Sequence, residues 1–188
     1  MQIMAGKQLF ASFVLLVSMT LVYGVLKSGP RIWRKLDIRR FVCTKERIWT
    51  YSTNTNEYTR CKVDQVTSMS NGSIFFRRSY FYDEQWHWIA KSLEGVFPKQ
   101  EKNLMHITNK DHLFIAKEKI VYMNEQYGCA VIKVTQALFG QLPYYDLRVW
   151  NRFVMQRPHE KCVKHFEILA PRGKVIYGTR CQQITKIK

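Results

Sequence analysis

The sequence predicts an all-β protein, and three observations predict it. Short runs rich in strand-forming residues recur along the chain with turn residues between them. Asn71-Gly72 is a hairpin signal set between two such runs. Helical patterning is confined to regions near the two ends.

Taken in order, Pro30 to Phe41 reads as a short helix, with Pro30 near its start and a partly apolar stripe of Ile32, Trp33, Leu36 and Arg40. Strand-like runs follow at Ile48–Tyr51, Arg60–Met69 and Ile74–Tyr82. Two aromatic pieces, Trp86–Ile89 and Leu93–Phe97, come next, then Leu104–Thr108 and Leu113–Met123. The last runs are Cys129–Val134, Tyr144–Trp150 and Lys174–Arg180, for about eight or nine strands in all. Between the last two, Pro158 to Leu169 reads as a helix. Pro158 suits its first turn, Cys162, Phe166 and Leu169 share one face, and Pro171 and Gly173 stop it. Such a pattern makes a barrel or a sandwich. An eight-stranded up-and-down barrel has an interior sized for one small ligand.

At the N-terminus, Lys7 precedes an apolar run from Leu9 to Val22, and Gly24 offers a small residue for cleavage. Residues 1–24 therefore read as a secretory signal, and residues 25–188 as one domain. The run is too short for a membrane span. The chain carries 30 Lys and Arg against 14 Asp and Glu, a formal charge of +16, of which the signal would remove only Lys7. A basic surface of that size confers solubility or attracts polyanions. Five cysteines in a secreted chain imply disulfides with one cysteine left over. Asn71-Gly72-Ser73 is a glycosylation sequon.

Catalytic and metal constellations are not found. His159-Glu160 with His165 echoes a zinc-protease helix, but the two histidines are six apart and point to different sides. There is no Cys-x-x-Cys and no Gly-rich phosphate loop, and His87, His106 and His112 have no ligand partners at short spacing. The expectation is a protein that is not an enzyme and needs no metal or cofactor.

The stretch from Cys129 to Cys181 carries a family likeness. It has a cysteine-led strand, then Asp146-Leu147-Arg148, Pro158, Cys162 with a following Phe166, and Ile176-Tyr177 before Cys181. With Ile38-Arg39-Arg40-Phe41, Ile48-Trp49-Thr50-Tyr51 and Cys61-Lys62-Val63, this resembles the tick salivary lipocalins of the histamine-binding family. The resemblance implies an eight-stranded up-and-down lipocalin barrel with a short N-terminal helix and a C-terminal helix packed on the barrel. It also implies disulfides Cys61–Cys181 and Cys129–Cys162. Cys43 is then the odd cysteine, read as a buried thiol rather than a site of intermolecular pairing. The implied function is sequestration of a host inflammatory mediator in the cavity of a secreted monomer: histamine, serotonin, or a leukotriene-like or fatty-acid-like lipid.

Strand parity then nominates the cavity. If Cys129 faces outward to the helix, Ala130, Ile132 and Val134 face inward, and Asp146, Arg148 and Trp150 share one face. The family's amine-binding pattern has Asp where this chain has Ala130, Glu where it has Asp146, and an aromatic where it has Arg148. Asp146 and Arg148 could pair with each other, or Arg148 could receive a ligand carboxylate. Trp49, Tyr122, Tyr144, Tyr145 and one of Trp86 and Trp88 could line the pocket, though about half of such strand aromatics only pack. The rival reading is a basic-surface interaction protein that binds heparan-type glycans or a host protein. Nucleic acid is not an expected partner.

Overall fold

A computed structural model describes residues 36–82, 87–137 and 141–184. The segment read as a secretory signal, the start of the N-terminal helix and Trp86 lie outside the described residues.

Eight antiparallel strands close into a barrel: β1 (Ile48–Thr53), β2 (Thr59–Met69), β3 (Ser73–Tyr82), β4 (His87–Val96), β5 (Leu104–Thr108), β6 (Phe114–Asn124), β7 (Cys129–Gln136) and β8 (Tyr144–Trp150). Each strand pairs with the next in sequence, and β1 pairs with both β8 and β2, which completes the circle. The two aromatic pieces expected on either side of Ala90 are one strand, because Tyr82 to Ser73 of β3 pair without interruption with His87 to Val96.

The hairpin expected at Asn71-Gly72 joins β2 to β3, but without the left-handed backbone that an Asn-Gly turn ordinarily uses. Neither Asn71 nor Gly72 takes a positive φ. The Ser70 hydroxyl instead accepts from the Gly72 and Ser73 amides at 3.3 and 3.0 Å, and the Ser70 amide donates to the Ser73 carbonyl at 2.8 Å. A side-chain hydroxyl that takes up the turn's amides removes the need for left-handed backbone.

An up-and-down circuit places alternate loops at opposite ends. The β2–β3, β4–β5 and β6–β7 connections share one end, and it is closed by α1 (Arg39–Val42). Ile38 and Phe41 are fully buried there, and the Ile38 amide donates to the Lys102 carbonyl at 2.9 Å. Of the expected stripe, Ile32 and Trp33 lie outside the described residues and Leu36 packs against the core, but Arg40 turns outward to Glu125 at 2.8 Å and Phe41 and Val42 face the core instead. The other end carries the β1–β2, β5–β6 and β7–β8 loops.

After β8 come α2 (Asn151–Val154), α3 (Glu160–Leu169), β9 (Lys174–Val175) and α4 (Cys181–Ile184). Pro158 is not in the first turn of α3. His159 is the N-cap, and its Nδ1 accepts from the Lys161 amide at 3.2 Å. Cys162 and Phe166 are buried against β7 and β8, whereas Leu169 is 39% exposed. The final strand is shorter than expected, since only Lys174–Val175 pairs with β1. Beyond it the chain bonds to both neighbours: the Ile176 amide donates to the Tyr51 carbonyl, and the Cys61 amide donates to the Ile176 carbonyl, each at 2.9 Å. This segment bridges β1 and β2 where Cys61, at φ 52°, breaks the ladder.

Both implied disulfides are present, Cys61–Cys181 and Cys129–Cys162. Cys43 is exposed and not the buried thiol expected, because it caps the end of α1 on the outside of the closed end.

Gly128, in the β6–β7 turn, has φ 54°, and a Cβ there would strike the Phe153 ring and come within 2.9 Å of Trp150. Gly128→Ala is expected to cost about 2–4 kcal/mol, from left-handed strain plus overpacking. Urea denaturation of the two chains measures it.

Candidate functional site

Two apolar layers confirm the parity. Ala130, Ile132, Val134 and Trp150 pack inside the barrel with Ile38, Phe41, Ile74 and Phe76. Cys129, Val131, Leu147 and Val149 pack outside, under α3 and the C-terminal segment. The interior thus has an apolar floor at the closed end. Above it the barrel is charged.

Six ionic side chains converge there from four strands, β2, β3, β6 and β8. Asp64 takes a fork from Arg78, with Nε and Nη2 both at 2.7 Å. Arg78 reaches Glu118 at 2.9 Å. Glu118 takes a second fork from Arg148, at 2.7 and 2.8 Å. Arg148 returns to Asp64 at 3.4 Å, which closes a ring of four. Asp146 is appended to this ring. Its Oδ2 accepts from Arg148 Nη2 at 3.1 Å and from Lys62 Nζ at 2.9 Å. Three acids face three bases, so the interior is balanced and the formal charge of +16 belongs to the rest of the chain.

All six are buried, Glu118 and Asp146 completely. Burial would raise the Glu118 pKa, but Arg148 and then Arg78 outweigh it and hold the acid well below the usual carboxylate range. Burial likewise opposes ionisation of Asp146, and Lys62 and Arg148 bring it down. Burial pulls Lys62 down, and Asp146 more than restores it, so its ammonium titrates above its ordinary value. Depressed acids stabilise the fold above their unfolded pKa and lose that contribution as pH falls through the folded one. Stability is therefore expected to fall progressively from about pH 5 downward. On the alkaline side it should hold up to the ordinary tyrosine and lysine range, about pH 10, and fall above it, because Tyr144 and Lys62 both keep their protons more tightly in the fold than in the unfolded chain. Denaturant midpoints across pH check this.

Asp146 Oδ1 has no hydrogen-bond partner among the described residues, although Thr53 stands close enough to lower the acid's pKa. Tyr144 lies one inward position nearer the open end. Burial raises its pKa and keeps the phenol neutral, and Lys62 Nζ sits 5.7 Å from its ring centre. Tyr144 also lines a pocket of about 480 Å³ between the β1–β2 and β7–β8 loops, with Asn54, Glu57, Gln136 and Leu142. Tyr144 thus touches the open-end pocket on one side and Lys62 of the ionic network on the other.

The structure sorts the nominated residues. Asp146 and Arg148 meet inside, and Ala130 stands directly across from Arg148 in the ladder. Arg148 does not offer a free fork, since Glu118 takes both its terminal nitrogens. Trp150 faces inward but at the floor, stacked on Phe41 at 5.6 Å with its indole N–H on the Phe41 carbonyl at 3.0 Å. Trp49, Trp88 and Tyr122 do not face the interior. Trp49 lies under the C-terminal segment, edge-on to Tyr177 at 5.2 Å and bonded to Asn151 at 2.7 Å. Trp88 pairs with Phe81 and packs on the outer layer. Regular alternation from Glu118 and Ile120 would turn Tyr122 inward, but an irregularity between Ile120 and Tyr122 turns it out to stack on His165 at 3.8 Å. Tyr145 also packs on the outer layer. Asn71 is exposed at the tip of its turn.

Glu118, Lys62, Asp64 and Arg78 were not nominated from sequence. Glu118 and Arg78 carried a signal: each continues an apolar parity, Ala116-x-Glu118-x-Ile120 and Ile74-x-Phe76-x-Arg78. Lys62 and Asp64 follow the break at Cys61, where parity cannot be carried forward.

Among the described residues no group of His, Cys, Asp and Glu is arranged to hold a metal ion, and no helix is long and apolar enough to cross a membrane.

No protein-family model matches this chain, and no curated protein matches its sequence. Solved structures do match. The serotonin complex of AM182 has a TM-score of 0.59 at 12% identity, over 81% of this chain and 97% of that one. Japanin from Rhipicephalus appendiculatus, bound to cholesterol, has a TM-score of 0.55 at 12% identity, over 73% of this chain and 96% of that one. The cockroach allergen Per a 4 has a TM-score of 0.55 at 16% identity, over 79% and 92%. With the closed antiparallel circuit and the helix pinned to its outside, these likenesses establish that the chain has the lipocalin fold.

Proposed function

We propose that this chain is a secreted lipocalin of the tick salivary type that sequesters a small host mediator in its barrel by stoichiometric binding without turnover. The supporting observation is the charged interior. Six buried ionic groups are a costly way to fill a barrel, because apolar side chains of similar volume do so at least as stably. A polar interior suits a ligand whose head group must keep hydrogen bonds when it leaves water. AM182 with serotonin and Japanin with cholesterol share the fold and hold small molecules of this size class.

The balance of charges favours one of the two mediator classes. A biogenic amine needs a carboxylate of its own, and each interior acid already faces a cation. A lipid with an oxygen head, hydroxyl or carboxylate, can donate to Asp146 Oδ1 or accept from Lys62 without breaking a pair. The reading is therefore a leukotriene-like or fatty-acid-like lipid rather than histamine or serotonin. Its anchor is the Lys62–Asp146 end of the network and not Arg148. Calorimetric titration of the disulfide-bonded chain with histamine, serotonin and a leukotriene tests it. Tight binding of the lipid at one per chain is expected. Tight amine binding without the lipid would overturn the choice of class, and binding of none would overturn the function.

A further inference from the structure

From the position of one lysine we infer that Lys62 is the specificity-determining residue of this site, a built-in ammonium that excludes ligand ammonium groups and leaves the barrel open to neutral and anionic heads. The inference rests on the reading that ligands approach the ionic network from the open end.

Lys62 Nζ is held by two groups. One is the fully buried Asp146 carboxylate at 2.9 Å, and the other is the face of Tyr144 at 5.7 Å. A carboxylate and an aromatic face are what a desolvated ammonium requires. The chain therefore supplies its own cation where an amine ligand would be held. The other two interior cations are locked differently. Arg78 and Arg148 each grip a carboxylate with two nitrogens, whereas Lys62 donates to a single carboxylate oxygen, Asp146 Oδ2. Lys62 is also the member that touches Tyr144, which lines the pocket at the open end.

Each head group meets this arrangement differently. A hydroxyl can donate to Asp146 Oδ1 with Lys62 in place, and the network stays neutral. A carboxylate can accept from Lys62, which has donors to spare. An ammonium placed on Asp146 would stand within a few ångströms of a second ammonium, or must displace it. Like charges at that range repel strongly away from bulk water. Removing Lys62 reverses the order: Asp146 is left short of a cation, and a ligand ammonium restores the balance.

Three probes with one tail and different heads test this: n-decanol, decanoate and decylammonium, titrated into the wild-type chain and into Lys62→Met. Wild type is expected to bind decanol and decanoate, with decylammonium weaker by about tenfold or more. Lys62→Met is expected to gain decylammonium affinity by at least that factor and to be thermally stabilised by it. Lys62→Arg should keep the exclusion, and Lys62→Met with Asp146→Asn should abolish the gain. Wild type binding decylammonium as tightly as decanol would overturn the inference, whether or not the variant folds. A folded Lys62→Met chain with no gain would overturn it too. Binding without head-group preference removes the role of Lys62 alone. Failure of all three probes in both chains removes the ligand-binding reading and the Lys62 role with it.

Discussion

Replacing Glu118 with glutamine is expected to lower the stability of the fold by about 3–5 kcal/mol, the usual cost of removing one partner from a buried ionic network. The substitution keeps the shape of the side chain, so packing does not account for the loss. Glu118 accepts from Arg148 through both oxygens and also faces Arg78 at 2.9 Å. A neutral amide would leave two buried guanidinium groups with two acids between them and Lys62. Urea denaturation with the disulfides intact measures the effect through the midpoint at constant slope. Pairing Glu118→Leu with Arg148→Met removes one charge of each sign, and this double variant should recover part of the loss. If Glu118→Gln leaves the midpoint unchanged, the network is not the frame of the barrel interior.

The second large effect concerns the Cys61–Cys181 bridge. Its cysteines are 120 residues apart in sequence, and in the chain-entropy model a loop of that length contributes about 5 kcal/mol. The 33-residue separation of Cys129–Cys162 corresponds to about 4 kcal/mol. The two bridges should differ in what else they hold. Cys61–Cys181 fixes the segment that bonds to both β1 and β2 beside the break at Cys61. Its removal, as Cys61→Ala with Cys181→Ala, is expected to expose amides of Ile176 and Tyr177 to hydrogen exchange. Cys129→Ala with Cys162→Ala should instead loosen α3 and free the Tyr122–His165 and Tyr127–His159 stacks. Hydrogen exchange of the two variants separates these outcomes, and identical protection patterns would contradict the assignment.

Much of the barrel was legible because a strand has a period of two. Cys129 facing the helix was enough to place Ala130, Ile132 and Val134 inside and to align Asp146 with Arg148 and Trp150. Parity failed where the ladder slips. The irregularity between Ile120 and Tyr122 flips Tyr122 outward, and the break at Cys61 hides Lys62 and Asp64. Glu118 was hidden for another reason. Lys117-Glu118-Lys119 looks like a solvated charged run, and only the neighbouring Ala116 and Ile120 mark the middle residue as inward. Trp49 was misjudged because an aromatic in a strand suits either face. Here the C-terminal segment, with Tyr177, covers the outer one.

The central proposal is a ligand held inside the barrel at the Tyr144–Asp146 end. Intermolecular NOEs between a bound leukotriene and protonated methyl groups of an otherwise deuterated chain test it most directly. Val134 lies across from Tyr144 and Ile132 across from Asp146, so NOEs to these inward methyls are expected. NOEs confined to the outward methyls of Val131, Val149 or Val175 would place the ligand on the outside of the barrel and contradict it.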